Sequence, residues 1–126
     1  MAIKVAHIIT KLELGGAQLN TLYTAEHLPR DRFDVTLIAG KSGLLDDEAG
    51  KKNRVIFISS LRRELNPLLD ILAFIRIWVI CKKENFKIVH THSSKAGIMG
   101  RWAGRLAGVP VIIHTIHGWS FHEGQN

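Results

Sequence analysis

The chain has 126 residues, 46% of them apolar and 22% charged, which suits one ordinary soluble globular domain with a core of its own. Its single cysteine, Cys81, excludes an internal disulfide and a cysteine-based zinc site, and it fits a reducing cytosol. The formal net charge of +6 is spread along the chain without interleaved aromatics; that pattern suits anionic ligands or an anionic membrane surface and carries no nucleic-acid-binding signature.

Ile3 to Ile9 is β-branched and apolar apart from Lys4 and His7, and it reads as a buried parallel strand. It is too short, and too interrupted by His7, to be a signal peptide. A loop follows with Gly15-Gly16. Leu19, Leu22, Ala25 and Leu28 then recur at helical spacing until Pro29. Phe33 to Ala39 is expected as the second strand and Val55 to Ile58 as the third, with a short helix or loop over residues 44–52 between them. Pro67 opens a long helix to about Glu84, as proline does at a first helical position. Its expected buried stripe is Leu68, Leu69, Leu72, Ile75, Val79 and Ile80, and Asn85 is the expected C-terminal cap. The apolar run from Pro67 to Cys81 contains Asp70 and Arg76 and is short of the roughly 20 residues a membrane span needs. Lys87 to Thr91 reads as the fourth strand, and residues 95–107 as a helix capped by Ser93 or Ser94 and closed by Gly108. Val109 to Thr115 reads as the fifth strand.

Strands alternating with helices imply an α/β fold: a Rossmann-like parallel sheet with helices on both faces. Right-handed crossovers give the order 3-2-1-4-5. The switch point then lies between the first and fourth strands. Gly15-Gly16 and His90-Thr91-His92 should both face that crevice, where open parallel sheets bind ligands.

Gly15-Gly16 sits at a helix start, where backbone N–H groups favour an anion; a tight turn needs the same glycines. The motif is neither G-x-G-x-x-G nor a Walker A loop. His90 and His92 are expected to diverge to opposite faces, so no two-histidine metal site is expected, and His90 reads as architectural. Gly97, Gly100, Gly104 and Gly108 leave one helix face almost bare, which suits close helix-on-sheet packing. The start of that helix, Ser93-Ser94-Lys95, points into the crevice and can receive an anion. His117-Gly118 follows the fifth strand, where a histidine can reach a substrate hydroxyl or leaving group. Trp119 and Phe121 beside it can line a sugar or lipid pocket or an interface. The long helix, with Arg62-Arg63 ahead of it, can cover the sheet or lie at a membrane interface.

The segment Ile3 to Thr24 with Gly15-Gly16-Ala17-Gln18 resembles the start of family-4 glycosyltransferases of the GT-B fold. His90-Thr91-His92-Ser93-Ser94-Lys95-Ala96-Gly97, Ala107-Gly108-Val109-Pro110 and His114-Thr115-Ile116-His117-Gly118 are similar to the later part of the same N-terminal domain. The resemblance implies a sugar transfer from a nucleotide-sugar donor to a glycan or lipid-linked acceptor, retaining the anomeric configuration and needing no metal or other cofactor. It places Gly15 and Gly16 at the donor diphosphate and His117 at the donor sugar, as the catalytic histidine. Gln18 and Asn20 become acceptor candidates, joined by His92 and Ser93 at the same crevice. It also implies that residues 1–126 are a partial N-terminal domain lacking the donor-binding C-terminal domain, inactive alone, cytoplasmic and peripheral at the inner face of the membrane. Two alternatives stay open: a GT-B-type nucleotide-sugar epimerase, and a non-catalytic binding or anchoring subunit of a split glycosyltransferase.

Overall fold

The computed structural model describes residues 2–11, 29, 31–41, 54–62, 64–92 and 94–115. Five parallel strands form one sheet: β1 (Ile3–Lys11), β2 (Phe33–Gly40), β3 (Arg54–Ile58), β4 (Ile88–His92) and β5 (Val111–Thr115). Their order is β3-β2-β1-β4-β5, the one that right-handed crossovers predict. Two helices are described, α1 (Pro67–Glu84) and α2 (Ser94–Leu106). The helix expected before Pro29 and the segment 44–52 lie outside the described residues. Neither described helix is long and apolar enough to cross a membrane.

Local chemistry sets the helix ends. Asn66 is the N-cap of α1 and its side-chain oxygen accepts from the Leu69 N–H at 3.2 Å. Pro67 takes the first helical position, where its missing N–H costs nothing. Asn85 closes the helix in the left-handed region, at φ 57°, with its N–H on the Cys81 carbonyl, as expected. After α2, Gly108 stands at φ +83°; its N–H bonds Arg105 O and the Val109 N–H bonds Gly104 O. That is a Schellman closure.

Both helices cover one face of the sheet. Ala73, Ile77, Ile80 and Cys81 of α1 and Ala96 and Ala103 of α2 meet Ala6, Ile8, Ile38, Ile58 and Val89. The other face carries Ile9, Leu37 and Ala39, with Val35, Val55 and Phe57 against them. At the amino edge of the sheet, Arg54 grips Glu84 with two bonds of 2.8 Å and Lys4 adds a third of 3.2 Å. This pairing, led by Arg54, holds the Glu84 carboxyl down at about 2 and ties the end of α1 to β1 and β3.

The expected buried stripe of α1 is corrected. Of its members only Ile80 is buried; Leu68, Leu72, Ile75 and Val79 are exposed and Leu69 is half-buried. The reason is composition: α1 is apolar nearly all round, so periodicity does not select a face. The sheet takes the side with Ala73, because a small residue lets the helix approach closely.

Candidate functional site

The site is built where β1 and β4 run side by side. Their register pairs His7 with His90. Paired residues share a face, and so do residues two apart on one strand. β4 persists through His92, so His90 and His92 lie on the same side. This corrects the expectation that they diverge. The three rings cluster: His92 stacks on His7 and on His90, with centroids 5.3 and 4.4 Å apart, and His7 and His90 are tilted by 35° at 4.9 Å.

His7 Nδ1 and His92 Nε2 are 3.0 Å apart, one carrying the proton and the other accepting it. His90 Nε2 meets the Thr115 hydroxyl from β5. His7 and His92 are 1% and 2% exposed. Burial, with the nearby His90 adding to it, lowers His7 to about 4. His7 is therefore a neutral imidazole at physiological pH.

Thr91 points the other way. Its hydroxyl bonds His114 Nδ1 at 2.8 Å and reaches the Ile113 carbonyl at 3.4 Å. The His114 ring lies under Gly97, and Thr91 and Ile8 lie under Gly100; a side chain at either glycine would collide with them. The bare helix face therefore does serve close packing, as the glycine spacing predicts. At the start of α2, Lys95 bonds Asp70 Oδ1 at 2.8 Å and the Glu64 carbonyl. It locks the two helix N-termini together on the crevice side, and its charge is engaged by Asp70.

Of the predicted site residues, the described part contains His92 alone, and it is buried against His7. Gly15, Gly16, Gln18, Asn20, Ser93 and His117 lie outside the described residues, as do Trp119 and Phe121. Two residues escape the sequence reading. His7 looks like a mere interruption of an apolar strand, and Thr115 looks like a strand end. The available signal was strand order, which sets β1 beside β4; their register then decides that His7 meets His90.

Residues 14–126 match the family model described as Glycosyltransferase Family 4. The chain is 44% identical over 121 residues to a UDP-Gal:alpha-D-GlcNAc-diphosphoundecaprenol alpha-1,3-galactosyltransferase of Escherichia coli, covering 96% of this chain and 31% of that protein. It is 35% identical over 91 residues to the capsular polysaccharide biosynthesis glycosyltransferase CapH of Staphylococcus aureus, covering 71% of this chain and 24% of that protein. The chain thus spans about a third or less of the length of these curated relatives. Among solved structures, a glycosyltransferase from Rickettsia africae superposes with a TM-score of 0.75 at 24% identity, covering 94% of this chain and 30% of that one. MurG of Acinetobacter baumannii gives 0.70 at 19%, over 93% and 37%. The C-terminal domain of PF1911 hydrogenase from Pyrococcus furiosus gives 0.68 at 14%, over 90% and 91%. These structures share the fold, and the last shows that this fold alone does not name an activity. The family match does show the family: the chain belongs to glycosyltransferase family 4, with the Rossmann-like α/β architecture that its strand order predicts.

Proposed function

We propose that this chain is the acceptor side of an enzyme that transfers a sugar from a nucleotide-sugar donor to a lipid-linked glycan at the inner face of the membrane. The observation that carries the reading is the outer side of α1. Leu65, Leu68, Ile71, Leu72, Ile75 and Val79 stand out from the fold, and their exposure falls steadily from 88% at Leu65 to 41% at Val79. The most exposed end is the crevice end, where Lys95 joins Glu64 and Asp70. A groove beside the stripe is lined by Phe57, Leu72, Ile75 and Val79 and carries Lys41 and Arg76. An apolar stripe with cations beside it matches an anionic lipid surface. It would bring a lipid-borne acceptor to the carboxyl edge of the sheet.

The relatives support the acceptor class, since the Escherichia coli protein is named for a diphosphoundecaprenol-linked substrate. Its name also joins a UDP-galactose donor to an alpha product. UDP-galactose is itself alpha-linked, so that outcome retains configuration and supports a retaining transfer here. In this reading Gly15 and Gly16 turn backbone N–H groups to the leaving diphosphate and His117 orients the donor sugar. Charge developing on the diphosphate is then met by preorganised dipoles, and the transfer itself needs no metal. Gln18, Asn20 and Ser93 meet the acceptor, and His92 supports them from within the sheet.

Sedimentation with vesicles tests the reading. Anionic vesicles carrying a polyprenyl-diphosphate N-acetylglucosamine should retain the chain better than vesicles without it, while UDP-galactose alone binds weakly in calorimetry. Tight UDP-galactose binding with no preference for the acceptor vesicles would place this chain on the donor side and overturn the proposal.

A further inference from the structure

The transfer just described uses His92 only as a support and His7 and His90 not at all, and no step of it needs three imidazoles together at the sheet's switch point. We propose that His7, His90 and His92 form a binding site for one borderline transition-metal ion, zinc in the first instance, which clamps β1 to β4 beneath the crevice.

Four observations carry the site. Each ring offers a nitrogen, and the three nitrogens lie within 4.8 Å of one another. A tetrahedral zinc, with bonds near 2.0–2.1 Å, holds its nitrogen ligands roughly 3.3 Å apart and their rings roughly 5 Å apart. The His7–His92 nitrogens are at 3.0 Å and the ring centroids at 4.4 to 5.3 Å. Capture of an ion therefore asks for side-chain rotation and no movement of the strands. Second, the register of β1 against β4 fixes all three residues from two hydrogen-bonded strands, so the donor set is preorganised. Third, His7 Nδ1 and His92 Nε2 already face each other at 3.0 Å, so both point at the space an ion would take. The proton between His7 and His92 can move to a far ring nitrogen, so both can ligate without a net loss of protons. Fourth, the Thr115 hydroxyl on His90 supplies the outer-shell contact that orients a metal-bound histidine.

The donor chemistry chooses the metal. Three imidazoles suit Zn²⁺, Co²⁺, Ni²⁺ or Cu²⁺ and disfavour Mg²⁺ and Mn²⁺, which prefer oxygen. A diphosphate-bound magnesium is therefore a different case. Opposing capture is the cost of bringing a dication into a buried place. Three nitrogen ligands, with a water or an anion as the fourth, would offset it.

The test uses the whole chain, stripped with a chelator and then titrated. Zinc should bind at one ion per chain in calorimetry, cobalt should give the intense visible bands of a four-coordinate site, and magnesium and manganese should give neither. His90→Gln should weaken zinc by at least about 100-fold, and Thr115→Val by about 10- to 100-fold. His114→Gln, on the opposite face of the sheet, should bind as the parent does. Circular dichroism checks that each variant is folded; should His90→Gln fail to fold, Thr115→Val carries the comparison. A folded parent chain that binds no zinc overturns the site. So does zinc binding unchanged in folded His90→Gln or Thr115→Val, which would assign the ion to other histidines.

Discussion

The inner and outer sides of the α1–α2 layer differ in side-chain size, most of all on α2. Facing the sheet, α2 buries Ala96, Gly97, Gly100 and Ala103, and α1 sets the small Ala73 beside Ile77, Ile80 and Cys81. Facing out are large ones: Leu68, Ile71, Leu72, Ile75 and Val79 on α1, and Ile98, Trp102 and Leu106 on α2. The inner side shows that the layer is held by close approach, and at Gly97 and Gly100 one added methyl group has nowhere to go. The outer side contributes little to the fold described, and on α1 it is graded toward the crevice. An apolar surface that the fold does not need is a surface for something else.

The interior should be the easier of the two to break, and a buried charge should break it most. His7 titrates at about 4 in the folded chain against 6.5 in the unfolded one. Below pH 6.5 the unfolded state takes up a proton that the folded state refuses until about pH 4. Stability should therefore fall across that window, by roughly 3 kcal/mol in all. Denaturant unfolding in chelator at a series of pH values reads this, and His7→Gln should flatten that part of the profile.

A methyl group should cost less. A Cβ on Gly100 would lie 2.5 Å from Thr91 Cγ2 and 3.1 Å from Ile8 Cδ1, both buried. Overpacking costs roughly 1–3 kcal/mol and alanine returns about 1 in helix propensity. Gly100→Ala should lose up to about 2 kcal/mol in chemical denaturation. Gly108→Ala, at φ +83° with nothing within 4 Å, should lose about 1 kcal/mol through the left-handed backbone alone. Gly104 is the contrast within the helix: its Cβ would make ordinary contacts of 3.5–3.6 Å to Ile112 and Val89. Gly104→Ala should be neutral or gain up to about 1 kcal/mol, the smallest effect of the set.

The comparison also explains what could be read before any coordinates. Strand order and helix ends were legible, because they follow from local chemistry and crossover handedness: Pro67, Asn85 and Gly108 each announce a helix end. The glycine face of α2 was legible for the same reason, since repeated glycines in a helix need a close neighbour. The buried side of α1 was not. Ala73 is a weaker apolar signal than Leu72 or Ile75, and only the sheet it packs on selects it. The histidine cluster needed register as well as order: His7 and His90 are 83 positions apart, and nothing local to either reveals that they are paired. Gly15, Gly16 and His117 rest on family resemblance and lie outside the described residues.

The outer side of α1 decides the account. Leu68→Asp with Ile71→Asp should cost at most about 1 kcal/mol of stability, because both side chains are mostly exposed, at 69% and 58%. The same pair should weaken sedimentation with anionic, acceptor-bearing vesicles by at least about tenfold, since each buried Leu or Ile is worth roughly 1.5–3 kcal/mol. Parent and double variant, measured side by side on those vesicles, test the central claim most directly. A folded variant that no longer sediments is the predicted result; a folded variant that sediments as well as the parent would contradict the lipid-facing role of α1.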